Sequence, residues 1–154
     1  MLPAGSREDG MPHLTSGTWS KRYRPGRLLT TGIDAGSAPR RTFSAIVPAV
    51  SPHDAAAMAY RAYVGDGCTT VTVKVAEAGQ SLEDDVARVA AVRSAHWSAG
   101  VHHPAIRIDA NGAWTVAEAV TAIRELDNAS GGLEYVEQPC RTLDELAELR
   151  TRIS

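Results

Sequence analysis

A short strand pattern that runs directly into a helix start constrains this chain more than any other stretch. Residues 106–114 (IRIDANGAW) alternate apolar and polar side chains, which is typical of a β-strand with one buried face. The isoleucines of this run would face the core, and its arginine, Asp109 and Asn111 would face the other way. Gly112 ends the strand, and residues 115–118 (TVAE) form the capping-box pattern of a helix N-terminus. Asp109 and Asn111 are therefore predicted at the carboxyl end of a strand, just before a βα turn.

The same strand–helix arrangement recurs along the chain. Residues 69–75 (TTVTVKV) form a strand pattern that ends near Lys74, and residues 133–139 (LEYVEQP) form another that ends with Glu137. An earlier apolar run, residues 44–50, is consistent with a buried strand, and Pro48 indicates that this strand ends there or lies at an edge. Helix-start patterns follow these runs at Ser51, Ser81, Thr115 and Thr142.

Alternating strands and helices with short loops predict an α/β fold with a parallel sheet and right-handed crossovers. Two architectures fit: an open doubly wound sheet, or a partial (β/α)₈ barrel of the TIM type with about four βα units in residues 44–154. No Gly-rich phosphate turn follows any strand, which weakens the dinucleotide-binding version of the first. A complete barrel needs about 250 residues, so residues 44–154 suffice for part of one. In such a barrel, the carboxyl ends of the strands carry the chemistry.

Residues 1–43 have a different composition, rich in Gly, Pro, Ser and Arg and without helical or strand periodicity. Their formal charge is +4, whereas the remainder carries −6. We predict a disordered basic leader. A basic arm can touch nucleic acid, but no binding motif accompanies this one, so a solvated arm is favoured and no nucleic-acid partner is expected.

The cysteine content and the hydropathy pattern indicate where in the cell the protein is expected. Cys68 and Cys140 are the only cysteines and make no disulfide framework, so a reducing cytoplasm is expected. No apolar run approaches the length of a membrane span, so no membrane partner is expected. His96, His102 and His103 cluster near a predicted loop over residues 97–104, where we expect solvated histidines and no metal site.

The three strand ends predict a specific chemistry. Asp109 and Glu137 offer hard oxygen ligands on neighbouring strands, which suit Mg²⁺, with Mn²⁺ as an alternative. Lys74 would lie near the bound cation, and a dication and partial burial both disfavour an ammonium, so the pKa of Lys74 is expected to fall. A lysine tuned in this way can remove a proton α to a carboxylate.

Several motifs together resemble a known family. Residues 72–74 (TVK), 109–114 (DANGAW) and 134–139 (EYVEQP) resemble the catalytic strand ends of the enolase superfamily, muconate-lactonizing subgroup. Within it, residues 73–93 and 133–140 are most similar to the o-succinylbenzoate synthases, although dipeptide epimerases and N-succinylamino-acid racemases share these motifs.

The resemblance implies a lyase that dehydrates 2-succinyl-6-hydroxy-2,4-cyclohexadiene-1-carboxylate to 2-succinylbenzoate in menaquinone biosynthesis. It implies a small carboxylate as substrate, Mg²⁺ as cofactor, Lys74 as general base, and Asp109 and Glu137 as metal ligands. Asn111 matches a polar neighbour that supports the site. Thr72 stands where the family has the first lysine of its K-x-K motif.

Two further departures leave alternatives open. The family's third carboxylate ligand and second active-site lysine would lie on strands beyond Ser154, and its N-terminal capping domain is not recognisable in residues 1–43. We therefore expect a truncated form with impaired activity. The alternatives are a non-catalytic half-barrel, another subgroup member, or an open α/β binding domain with a carboxylate-lined Mg²⁺ site. The exposed strand edges of a partial barrel also predict self-association.

Overall fold

The computed structural model describes residues 44–101 and 105–153, and it contains four strand–helix units in succession. The four strands form one sheet in the order β1-β2-β3-β4, and every neighbouring pair is parallel. The elements are β1 Ser44–Val47, α1 Pro52–Val64, β2 Thr70–Lys74, α2 Leu82–Ser98, β3 Ala105–Asp109, α3 Val116–Ser130, β4 Tyr135–Glu137 and α4 Leu143–Arg152.

The strand order distinguishes between the two predicted architectures. A doubly wound sheet reverses its strand order at a switch point, and the order in the described part of the chain does not reverse. Each helix packs against the next helix along the chain, α1 on α2, α2 on α3 and α3 on α4. The prediction of about four βα units of the (β/α)₈ type is therefore confirmed. The leader predicted for residues 1–43 lies outside the described residues.

The hydrophobic core lies between one face of the sheet and the helices. Val71 and Val73 of β2, and Ile106 and Ile108 of β3, are 0–1% exposed. They join one cluster with small and branched side chains of α1, α2 and α3. Burial of such a side chain contributes about 1.5–3 kcal/mol relative to leaving it exposed. The predicted division of β2 and β3 into a core face and an opposite face is confirmed, and the opposite face is the one available to a site.

Each of the four helices begins at the predicted cap. Ser51 accepts a hydrogen bond from the backbone N–H of Asp54 and starts α1. The other three starts are complete capping boxes, in which the cap hydroxyl and the carboxylate three residues later each bond to the other's backbone N–H. These boxes are Ser81 with Asp84, Thr115 with Glu118, and Thr142 with Glu145.

The first strand ends at Val47, directly before Pro48, and it lies at one edge of the described sheet. The prediction that Pro48 ends this strand or marks an edge is confirmed. Pro48 has no N–H to donate to a sheet, and its carbonyl oxygen instead accepts a hydrogen bond of 2.8 Å from the Val50 N–H. The chain therefore turns away from the sheet at Pro48.

The prediction of a solvated loop histidine at position 96 is wrong. Helix α2 continues to Ser98, and His96 is 1% exposed with its ring centroid 4.1 Å from that of Tyr63. Neither ring nitrogen of His96 has a hydrogen-bond partner among the described residues, and burial lowers the pKa of His96 to about 4. The ring is therefore neutral at pH 7 and packs as part of the core. His102 and His103 lie outside the described residues.

Cys68 and Cys140 are buried free thiols. Among the helices that the structure describes, none combines the length and apolar character needed to cross a membrane.

Candidate metal and acid–base site

The sheet register places the three predicted site residues in one row. Lys74 pairs with Asp109 across β2 and β3, and Asp109 pairs with Glu137 across β3 and β4. Paired residues of parallel strands point to the same face, which here is the face opposite the core. The row therefore stands at the carboxyl ends of three consecutive strands, where α/β barrels carry their chemistry.

Lys74 and Asp109 are in direct contact. The Lys74 Nζ lies 2.5 Å from Oδ2 of Asp109 and 3.3 Å from Oδ1 of Asn111. The hydrogen bond to Asp109 raises the pKa of Lys74; partial burial opposes this, and the charges of Asp109, Glu137 and Glu77 add to it. Without a bound cation, the pKa of Lys74 is therefore raised, because the Asp109 contact outweighs desolvation. The fall predicted for Lys74 beside a bound dication stays a prediction.

A local turn fixes the Asp109 carboxylate. Its Oδ1 accepts a hydrogen bond of 2.9 Å from the backbone N–H of Asn111, two residues later. Asn111 has a φ of 49°, in the left-handed region that asparagine tolerates better than most residues. One carboxylate oxygen of Asp109 therefore faces the turn and the other faces Lys74.

The loops after β3 and β4 are bonded to each other, which holds Glu137 beside Asp109. Gly112 lies at their closest approach, with a φ of 72° and with Cα of Arg141 only 3.2 Å from where a Cβ would stand. A side chain at this position would push the two loops apart. Three backbone N–H groups of the first loop donate to carbonyls of the second: Ala110 to Glu137 at 3.2 Å, Gly112 to Gln138 at 2.7 Å, and Trp114 to Pro139 at 3.2 Å.

Thr72 shares the face of Lys74 but lies two residues earlier on β2. It is 9% exposed, and its hydroxyl oxygen lies 3.4 Å from that of Ser44. No hydrogen bond joins Thr72 to Lys74 in the described structure. Its predicted supporting role stays a prediction, as does that of Asn111, which the structure does bring to the Lys74 amine.

The next row along this face is polar and aromatic. Arg107 and Tyr135 pair across β3 and β4, and the Arg107 guanidinium carbon lies 4.7 Å from the Tyr135 ring centroid. The Arg107 Nε also donates to Glu134 at 2.5 Å. This row therefore places an ion-paired guanidinium and an aromatic ring next to the site.

Sequence reasoning missed a buried ion pair on α2. Asp85 and Arg88 are 2% and 1% exposed, and Nη1 of Arg88 donates to Asp85 at 2.7 Å and to the Lys74 carbonyl at 3.0 Å. Both lie on the helical face of the buried Val89 and Val92. Their helical spacing from Val89 and Val92 could have predicted this burial, because charged residues on the core-facing side of a helix are rarely exposed to solvent.

The donor set suits a hard divalent cation. Asp109 and Glu137 supply carboxylate oxygens and Asn111 an amide oxygen, the ligand types that Mg²⁺ and Mn²⁺ prefer. Within residues 44–101 and 105–153, no three His, Cys, Asp or Glu side chains converge as a complete metal site. Mg²⁺ commonly uses one or two protein carboxylates and takes its other ligands from water or substrate, so the residues present fit such an ion.

Comparisons with known proteins agree on the family. Residues 54–154 match the family model described as enolase C-terminal domain-like. An o-succinylbenzoate synthase from Thermobifida fusca is 56% identical over 111 residues, which cover 72% of this chain and 32% of the relative. The enzyme of that name from Mycolicibacterium smegmatis is 49% identical over 114 residues, 74% of this chain and 32% of the relative. The chain thus spans about a third of the length of these curated relatives.

Solved structures of the superfamily share the arrangement of strands and helices. A dipeptide epimerase from Enterococcus faecalis, complexed with Mg and the dipeptide L-Leu-L-Tyr, matches with a TM-score of 0.58 and 32% identity over 73% of this chain and 30% of its own. The L-Ala-D/L-Glu epimerase from Bacillus subtilis, in a substrate-liganded complex, matches with a TM-score of 0.56 and 36% identity over 69% of this chain and 27% of its own.

Proposed function

Because the chain belongs to the enolase C-terminal domain-like family, we propose that its strand-end row is the proton-abstracting and cation-binding part of an o-succinylbenzoate synthase site. The reaction would be the dehydration of 2-succinyl-6-hydroxy-2,4-cyclohexadiene-1-carboxylate to 2-succinylbenzoate, a step of menaquinone biosynthesis. The observation that carries the proposal is the register of Lys74, Asp109 and Glu137, with the amine against the first carboxylate.

The choice of this synthase over its superfamily neighbours rests on identity. The curated relatives of that name are more similar to this chain than the two epimerases of known structure. Dipeptide epimerases and N-succinylamino-acid racemases remain the alternatives, because a lysine and paired carboxylates serve any proton abstraction α to a carboxylate. A non-catalytic half-barrel is the alternative from a different class.

Each residue of the row has a separate task in the proposed chemistry. Lys74 accepts the proton, Asp109 and Glu137 hold the cation, and Asn111 keeps the Asp109 turn in place. A Mg²⁺ or Mn²⁺ ion bound there would hold the substrate carboxylate and stabilise the negative charge that develops on it. Thr72 leaves Lys74 as the single amine on β2.

The ion pair sets a condition on this chemistry. An ammonium cannot accept a proton, so Lys74 acts as a base only after it has lost the proton that its contact with Asp109 stabilises. Asp109 is thus both a proposed cation ligand and the group that does most to raise the pKa of Lys74.

A second observation bears on partners and location. The row opens on the sheet face opposite the core, where a divalent cation held by Asp109 and Glu137 would favour a small anionic substrate such as a carboxylate. We also propose a cytoplasmic location, which the two free, buried thiols support.

The proposal is tested by following the absorbance of the aromatic product with the purified 154-residue chain in excess Mg²⁺. We expect slow turnover, well below the roughly 10 s⁻¹ of a median enzyme, because loss of even one charge-stabilising group lowers a rate by about 10²–10³. The turnover should vanish in Lys74→Ala and persist in Lys21→Ala, a matched control because these are the chain's two lysines. A rate that does not depend on Lys74 would contradict the proposal. A rate near 10 s⁻¹ would contradict the expected impairment.

A further inference from the structure

The side chain of Arg88 is buried, and its hydrogen bonds converge on the loops that follow β1 and β2. It is 1% exposed, and its Nε donates to the Val50 carbonyl at 2.9 Å. Its Nη1 donates to the Lys74 carbonyl at 3.0 Å and to Oδ1 of Asp85 at 2.7 Å. Its Nη2 donates to Oε1 of Gln80. One guanidinium thus ties helix α2 to the carboxyl ends of two strands.

Asp85 completes the connection on the other side of the same turn. Its Oδ2 accepts a hydrogen bond of 2.8 Å from the backbone N–H of Ala76. Ala76 has a φ of 58°, a conformation that side chains without local hydrogen bonds rarely adopt. The pair therefore hydrogen-bonds to both ends of the turn: Arg88 donates to the Lys74 carbonyl, and Asp85 accepts from the Ala76 N–H.

Stability alone does not account for this pair. Burial of two opposite charges carries a desolvation penalty that their attraction only partly offsets, and apolar replacements of similar volume often leave a fold equally stable. A guanidinium and a carboxylate instead provide directional hydrogen bonds in a rigid geometry. Apart from the bond that joins the two side chains, the hydrogen bonds of Arg88 and Asp85 to the described residues end on the segment that carries Lys74 or on the loops next to it.

We propose that Arg88, together with Asp85, is a positioning residue for Lys74. It fixes the backbone of residues 74–76, and this keeps the Lys74 amine hydrogen-bonded to Asp109. Without it, the Lys74 side chain would sample several conformations on the open face of the sheet. The inference rests on the proposed function for the role of Lys74 as the reacting amine. It matters for that role because a displacement of about 1 Å can lower a rate by about 10².

The test observes Lys74 directly. In a Lys21→Arg background Lys74 is the single lysine, so labelling with ¹³Cε-lysine gives signals from this residue alone. With the Arg88 pair intact, the two Cε protons should have different chemical shifts, because the amine is fixed on Asp109. In the double variant Asp85→Leu/Arg88→Met, which removes both charges together, they should collapse to one averaged shift. Arg93→Met removes another arginine from α2 and should leave the two shifts unchanged.

Circular dichroism establishes that each variant is folded. A folded double variant with two distinct Cε proton shifts would overturn the inference, as would a single averaged shift with the pair intact. If the double variant does not fold, Arg88→Gln replaces it: the shorter amide cannot reach all the acceptors of the guanidinium and adds no lysine, so the Lys74 shifts should still collapse, and their retention would overturn the inference. These spectra need neither cation nor substrate, so failure here is separate from failure of the proposed function, which the turnover assay detects.

Discussion

The amine of Lys74 lies 2.5 Å from Oδ2 of Asp109, so the proposed base and the first proposed cation ligand form an ion pair. This contact is the largest cause of the raised pKa of Lys74. A cation bound to Asp109 would therefore change the pKa of Lys74, because both compete for the same carboxylate.

Replacement of Asp109 by asparagine should lower the pKa of Lys74. The amide carries no charge to favour the ammonium, while the opposing effect of burial remains. The measurement is a ¹³C NMR titration of Cε of Lys74 in the Lys21→Arg background. Glu134→Gln serves as the control, because that carboxylate is bound to Arg107 and is not among the causes of the Lys74 shift. An unchanged or higher pKa in Asp109→Asn would show that the contact is not the cause.

His96 should make the fold less stable in acid. Its pKa is about 4 in the folded protein, below the ordinary value of 6.5, so between these values the unfolded chain binds the extra proton. Stability contributed by the neutral ring is complete above pH 6.5 and is lost as the pH falls towards 4, at no more than about 1.4 kcal/mol per pH unit. Urea unfolding of His96→Phe, which keeps a ring beside Tyr63, should show a shallower loss over this range. Identical slopes for the two proteins would rule out this origin.

Two glycines provide a matched pair for the loop contact beside the site. Gly112 and Gly79 both have positive φ angles, 72° and 82°. An alanine at either position is strained by about 1 kcal/mol or more. Only at Gly112 would the added methyl group also press on the backbone of Arg141, since nothing lies within 4 Å of the corresponding position at Gly79. Gly112→Ala should therefore lower the free energy of urea unfolding by more than Gly79→Ala, and equal losses would contradict the described packing of the two loops.

The sequence predicts the fold and the row of site residues because both follow from local patterns. Alternation places Asp109 opposite the core, capping motifs mark each helix start, and sequential parallel pairing brings three strand ends together. Once the order of the strands is known, the pairing of Lys74 with Asp109 and of Asp109 with Glu137 follows from the end of each strand pattern.

What the sequence did not predict depends on contacts between distant elements. The pKa of Lys74 is decided by a residue 35 positions away, and the burial of His96 by the ring of Tyr63 on another helix. Arg88 lies on a buried helical face but was not recognised, because charged residues are assigned to solvent unless a partner is known. Asp85 is that partner, one helical turn away.

The open sheet edges should promote self-association. In the part of the chain that the structure describes, β1 and β4 each pair with one strand only, and Ile46 and Tyr135 on the open face are 62% and 41% exposed. Unpaired strand edges and exposed apolar side chains favour association with another chain. Sedimentation velocity should show a concentration-dependent increase in size that Ile46→Lys reduces. Leu143→Lys, which removes an equally apolar side chain from α4, is the control; an equal effect of both variants would place the contact elsewhere.

Cation binding at Asp109 and Glu137 tests the proposed site most directly. Electron paramagnetic resonance of Mn²⁺ added to the 154-residue chain measures free and bound ion without any need for turnover. Binding should be weak, and both Asp109→Asn and Glu137→Gln should weaken it at least about tenfold, or 1.4 kcal/mol, because each removes one of two charged ligands. Glu134→Gln, three residues before Glu137 and paired with Arg107, should bind as the unaltered chain does. Equal affinity in all four proteins would mean that the strand-end row is not a cation site.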